Sequence, residues 1–187
     1  MLDSVALFLS RDANIIWFMI VLPVIFGLAE LLFGKQAVPR LVVTLFSSAL
    51  NFMLAISLYL SDGFYLTFPF ASHGLDMAFH VYKFSSLFLV FTASIFMLAS
   101  LYDVVFLKKE SYAGRFMFYL TVSLGMINGA FLSDNLGVML FFWEGLLCTL
   151  FGMLLMNNRE NPKTAVKALA LSGTADLLLM LGIILTV

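Results

Sequence analysis

Apolar residues in this chain come in long blocks, and polar residues mark the seams between them. Six blocks stand out, at residues 14–33, 41–60, 84–107, 116–132, 136–156 and 164–187. Each is about 20 residues long, the length a helix needs to cross ~30 Å of hydrocarbon. A membrane barrel would instead show alternating segments of ~10 residues. The blocks therefore predict an all-α membrane protein of about six transmembrane helices, organised as a single membrane domain over residues 1–187. Pro23 falls inside the first helix and should kink it unless neighbours satisfy the carbonyl it leaves without a donor. The longest seam, residues 61–83, contains the alternating stretch Phe64-Tyr65-Leu66-Thr67-Phe68 between turn-forming residues. A short strand or hairpin fits that pattern, with an irregular loop as the alternative.

Composition agrees with the blocks. The chain is 63% hydrophobic and 11% charged, whereas a soluble domain is near half apolar and a quarter charged. Too little polar surface exists to cover a water-exposed globule. Net charge is −1, so no basic field is present to attract nucleic acid. Cys148 is the single cysteine, which excludes intrachain disulfides, Cys-ligated zinc and iron–sulfur clusters, and His73 and His80 have no metal-ligand spacing with other donors. No metal or cofactor is expected. The first ten residues lack the features of a cleaved signal peptide.

The seams carry an orientation. Lys35, Arg40, Lys108, Lys109, Arg115, Arg159, Lys163 and Lys167 fall on one side, and only Arg11 and Lys83 on the other. Positive residues favour the cytoplasmic side, so loops one, three and five are expected in the cytoplasm, with both termini and the 61–83 segment outside. The expected location is the inner (cytoplasmic) membrane.

Charges within the blocks are the candidate chemistry, because an ionisable group near the bilayer centre costs several kcal/mol and usually faces protein or water. Glu144 lies about nine residues into the fifth block, ~12 Å from its outer end and close to mid-membrane. Asp176 lies at similar depth in the sixth. Lys163 and Lys167 share one face of that helix, with Asp176 about 180° from Lys167. Two half-buried acids at mid-depth suit a proton relay, since desolvation favours the neutral carboxyl and a nearby cation favours the charged one. Asn51, Asn128 and the Ser and Thr residues of helices two to four are candidates for bridging helices, and Asn128 is equally a candidate for a polar path. Glu30 is expected to reach the headgroups or Lys35, and Asp103 to pair with Lys108 or Lys109. The Phe and Met stripes read as packing or lipid contact. No phosphate loop, nucleophile triad or nucleotide fingerprint occurs.

The stretch Asp134-Asn135-Leu136-Gly137-Val138-Met139-Leu140-Phe141-Phe142-Trp143-Glu144 resembles helix five of the antiporter-like membrane subunits. These belong to respiratory complex I, membrane-bound hydrogenases, formate hydrogenlyase and Mrp-type sodium/proton antiporters. Ala165-Val166-Lys167-Ala168, followed by Asp176, is similar to the family's entry into helix six. Arg115-Phe116 and Phe84-Ser85-Ser86-Leu87 fit the starts of helices four and three. Residues 134–176 carry the specific part, and Lys83 stands where the family often has an Asp. The resemblance implies the N-terminal six-helix part of the antiporter-like fold, with Glu144 as the helix-five glutamate of a proton channel. It further implies a partner lysine from a broken helix seven, supplied by another chain or further residues. The function expected is a proton (or sodium) translocating subunit of a multi-subunit, redox-driven ion pump, with electron transfer in partner subunits. The alternatives are a non-conducting structural subunit of the same membrane arm, and part of an unrelated secondary transporter.

Overall fold

The structure, a computed structural model, describes residues 11–33, 36–61, 63–69, 76–106, 112–157 and 162–186. Six helices account for most of it: α1 (Arg11–Phe33), α2 (Ala37–Leu60), α3 (Lys83–Phe106), α4 (Ala113–Leu132), α5 (Leu136–Asn157) and α6 (Pro162–Thr186). All six are long and apolar enough to cross a membrane. Both α2 and α4 begin earlier than the apolar blocks suggest. Pro39 falls in the first turn of α2, where a proline's missing N–H has no helical partner to lose.

α4 is the hub, touching α1, α2, α3 and α5, while α6 packs chiefly on α5 and is the least enclosed span. Glycines make this possible. A Cβ on Gly125 would lie 2.6 Å from the Ile20 carbonyl oxygen, so α1 and α4 approach backbone to side-chain-free backbone. Gly129, Gly145 and Gly152 likewise receive Phe142, Met126 and Tyr119 at the α4–α5 seam. Small residues permitting close helix approach are the usual device where no hydrophobic force separates helix from lipid.

Between α2 and α3 the expected hairpin is present. Strands β1 (Phe64–Pro69) and β2 (Asp76–Val81) pair antiparallel, with Leu66 opposite Phe79 and Phe64 opposite Val81. Leu66, Phe79 and Val81 are buried, whereas Tyr65 and Thr67 are exposed, the alternation of a sheet with one covered face. Phe79 contacts Trp17 of α1 and Phe142 of α5, with ring centroids 6.3 and 6.4 Å apart. The Asp134 N–H donates to the Ala78 carbonyl at 2.9 Å, and Lys83 Nζ donates to the Tyr59 and Ser61 carbonyls that end α2. His73 lies outside the described residues, as do Lys35, Lys108, Lys109 and Arg159.

The hairpin end of the bundle has an apolar core of Ile16, Met19, Ala55, Leu58, Phe79, Leu89, Leu132 and Phe142, with Ser85 and Ser86 buried at the start of α3. The opposite end holds buried polar groups.

Candidate functional site

The Pro23 break comes first, because it decides what Asn128 does. A helix carbonyl normally accepts from the N–H four residues on, and Met19 therefore faces a proline with no N–H to give. Asn128 of α4 and Asn51 of α2 both send Nδ2–H to the Met19 oxygen, at 2.8 and 3.5 Å. Both asparagines are buried, and neither Oδ1 has a hydrogen-bond partner among the described residues. The predicted inter-helix bridging by asparagine is thus met, and its target is the carbonyl that the proline frees. The predicted bridging by threonine is met at Thr44 and Thr121, which both donate to Glu30 of α1, whereas that by serine mostly is not. Ser48, Ser57, Ser94, Ser100 and Ser123 bond carbonyls three or four residues back in their own helices, the local bonding these side chains readily adopt.

At mid-depth, α5 presents three faces. Phe142 and Gly145 turn to α4. Trp143 turns to α6, where its Nε1–H donates to Asp176 Oδ1 at 3.0 Å. Glu144, 100° further round, is exposed, and no hydrogen bond or ion pair joins it to any described residue. Asp176 is buried, and its Oδ2 has no partner among the described residues. Lys163 and Lys167 are exposed. Nine residues of helix separate Lys167 from Asp176, ~13 Å along the axis, beyond the reach of a lysine side chain. The structure thus brings Asp176 to the residue beside Glu144 and leaves both lysines apart from them.

The other site lies at the end opposite the hairpin, and sequence reasoning placed its central residue wrongly. Glu30 was expected at the headgroups or on Lys35. It is fully buried instead, with Thr44 Oγ1 of α2 donating to its Oε1 at 2.8 Å and Thr121 Oγ1 of α4 donating at 2.9 Å. Arg40 and Asp103 are also buried, 4% and 3% exposed, and both interact with Glu30 electrostatically. Desolvation is the reason: a carboxylate at this depth is better served by two hydroxyls and a guanidinium inside the bundle than by a partial reach to water. The signal was present in α2, where Arg40, Thr44, Ser47, Ser48 and Asn51 recur at helical spacing and form one buried polar stripe. Asp103 has no hydrogen-bond partner for Oδ2 among the described residues, and its predicted partners Lys108 and Lys109 lie outside them.

No family model matches the chain. It is similar to the Na(+)/H(+) antiporter subunit A1 of Staphylococcus haemolyticus (strain JCSC1435), at 30% identity over 116 residues. That stretch is 60% of this chain and 14% of the length of that relative. By architecture the chain is a multi-pass membrane protein, with six helices among the described residues long and apolar enough to span, and by sequence it is similar, over the matched stretch, to a subunit of an antiporter.

Proposed function

We propose that this chain is an ion-translocating membrane subunit of the antiporter-like type, in which Glu144 and Asp176 are stations of a mid-membrane proton (or sodium) relay. The observation that carries this reading is Glu144 itself. It stands eight residues into a spanning helix, exposed and without a partner in the described residues. Leaving a carboxyl there against lipid tails costs several kcal/mol. A neighbouring segment that carries a cation, the lysine expected from the resemblance, turns that cost into a proton-exchange site, because opposite charge at short range favours the ionised acid and its withdrawal favours the neutral one. Trp143 positions the second acid: its indole N–H holds one Asp176 oxygen and leaves the other for a proton. The similarity to a sodium/proton antiporter subunit supports the ion-transport class.

In this reading the chain works within a larger assembly in the cytoplasmic membrane, with loops one, three and five in the cytoplasm. Redox chemistry, where it drives the pump, resides in other subunits of a complex I-like or hydrogenase-like machine. Lys163 and Lys167, at the cytoplasmic end of α6, pass protons between the relay and the aqueous phase. Glu144→Gln tests the proposal in inverted membrane vesicles carrying the complete complex, with proton movement followed by a pH-sensitive dye after addition of sodium or of electron donor. The variant should fall to the level of vesicles lacking the complex. Transport equal to the unmodified complex would leave the non-conducting structural role as the better description.

A further inference from the structure

Glu30, Arg40 and Asp103 come from three different helices and are all at least nine-tenths buried. Two acids and one base cannot all be ionised there without leaving net negative charge in a low-dielectric interior, which is costly. Among the described residues, the cluster is neutral only with one additional positive charge, and its geometry points to where that charge belongs. Both threonine hydroxyls donate to Glu30 Oε1, and Thr121 also lies 3.2 Å from Oε2. Donors aimed at a carboxylate favour its ionised form, and the positive charge of Arg40 acts on Glu30 in the same direction. Asp103 has no such support: its Oδ2 is buried and without a hydrogen-bond partner among the described residues.

Asp103 also borders open space. A half-open groove of about 580 Å³ lies between the ends of α3 and α5 and the start of α4, lined mostly by apolar side chains such as Ala99, Leu120 and Leu150, with Tyr102, Asp103 and Tyr112 as its polar members. The space is large enough for several waters, with Asp103 and the two tyrosines as the polar side chains in its lining. The groove sits at the bundle end opposite the hairpin. Among the described residues, the charged and titratable groups that face this region are Glu30 on α1, Arg40 on α2, Tyr102 and Asp103 on α3, and Tyr112 ahead of α4.

We propose that Asp103 is a second proton-binding site, loaded from the cytoplasm along the groove between α3, α4 and α5, with Glu30 and Arg40 as its fixed electrostatic surroundings. A proton arriving from water bonds to Asp103 Oδ2 and neutralises the cluster, and its departure restores one net negative charge. The site is separate from Glu144 and Asp176, on another face and at another depth, and its use in transport rests on the ion-translocating function proposed above.

Binding and access are testable apart from transport. In the purified complex reconstituted in lipid, the infrared spectrum should contain a protonated-carboxyl band that bleaches as pH rises. Asp103→Asn should remove that band, Asp103→Glu should keep it at a shifted frequency, and Glu144→Gln should leave it in place. In a Cys148→Ser background, Ala99→Cys and Leu120→Cys should react with a membrane-impermeant thiol reagent from the cytoplasmic face alone. Persistence of the band in Asp103→Asn overturns the proposal, as does failure of both cysteines to react from that face. Loss of transport in Glu144→Gln with normal transport in Asp103→Asn would leave the ion-translocating role standing and remove Asp103 from it. Normal transport in Glu144→Gln with the band lost in Asp103→Asn would do the reverse, keeping the proton site and sinking the relay.

Discussion

Asn128→Leu removes the donor that lies 2.8 Å from the Met19 carbonyl, at the place where Pro23 has none to offer. Asn51, at 3.5 Å, is too distant to take over fully. Inter-helix hydrogen bonds inside membranes average ~0.6 kcal/mol and reach ~1.7. With a buried backbone acceptor left nearly bare, the upper part of that range applies, so the expected loss is about 1–2 kcal/mol. The substitution also deletes the unpartnered Asn128 Oδ1 and changes the packing, which obscures a single measurement. A double-mutant cycle with Pro23→Ala removes these effects, because an alanine at that position supplies the missing N–H and they occur in both arms. In that background Asn128→Leu should cost no more than ~0.5 kcal/mol, giving a coupling energy of about 1 kcal/mol. SDS-driven unfolding in mixed micelles, followed by the fluorescence of Trp17 packed on Phe68 and Phe79, measures both arms. Equal penalties in the two backgrounds would refute the claim that these asparagines exist to repair the proline break.

Gly125→Ala forces its new methyl to within 2.6 Å of a backbone oxygen that cannot swing aside, and should destabilise the bundle by ~1–3 kcal/mol in the same assay. Gly173→Ala meets nothing within 4 Å and should be neutral or slightly stabilising, since alanine is the better helix former. Trp143→Phe keeps the ring but loses the N–H that holds Asp176, and should cost ~0.6–1.7 kcal/mol of α5–α6 association while lowering transport. Lys83→Met removes both donors at the C-terminal end of α2 and should cost ~0.5–1.5 kcal/mol, seen as a lower SDS midpoint.

The spans were legible because the bilayer imposes a length and forbids unpaired backbone, so block boundaries and helix boundaries differ by a few residues at most. The hairpin was legible from the period-two stretch at 64–68 and its flanking turn residues. The environment of Glu30 was harder to read. Its partners Thr44 and Thr121 are 14 and 91 residues away, and only packing of α1 against both α2 and α4 brings them together. Reading Glu30 by its distance from the helix end led to the headgroups, whereas the polar stripe of α2 pointed inward. In a membrane the informative face is the polar one, because lipid contact is open to any apolar side chain. Trp143 was seen as part of an aromatic run, and only the α5–α6 contact reveals that its N–H is spoken for.

The hub position of α4 also imposes an order on biogenesis. Glu30 enters the membrane with α1, yet Thr121, which donates to it, is synthesised 91 residues later. At ~5–20 residues per second, that is an interval on the order of 5–20 s. The Met19 carbonyl waits through a comparable gap for Asn128. Throughout it, α1 to α3 form a three-helix intermediate whose inward polar stripe has no fourth wall, and the translocon or a membrane chaperone must shelter it. Nascent chains stalled before residue 113 should therefore remain crosslinked to the insertion machinery, and release should coincide with the arrival of α4.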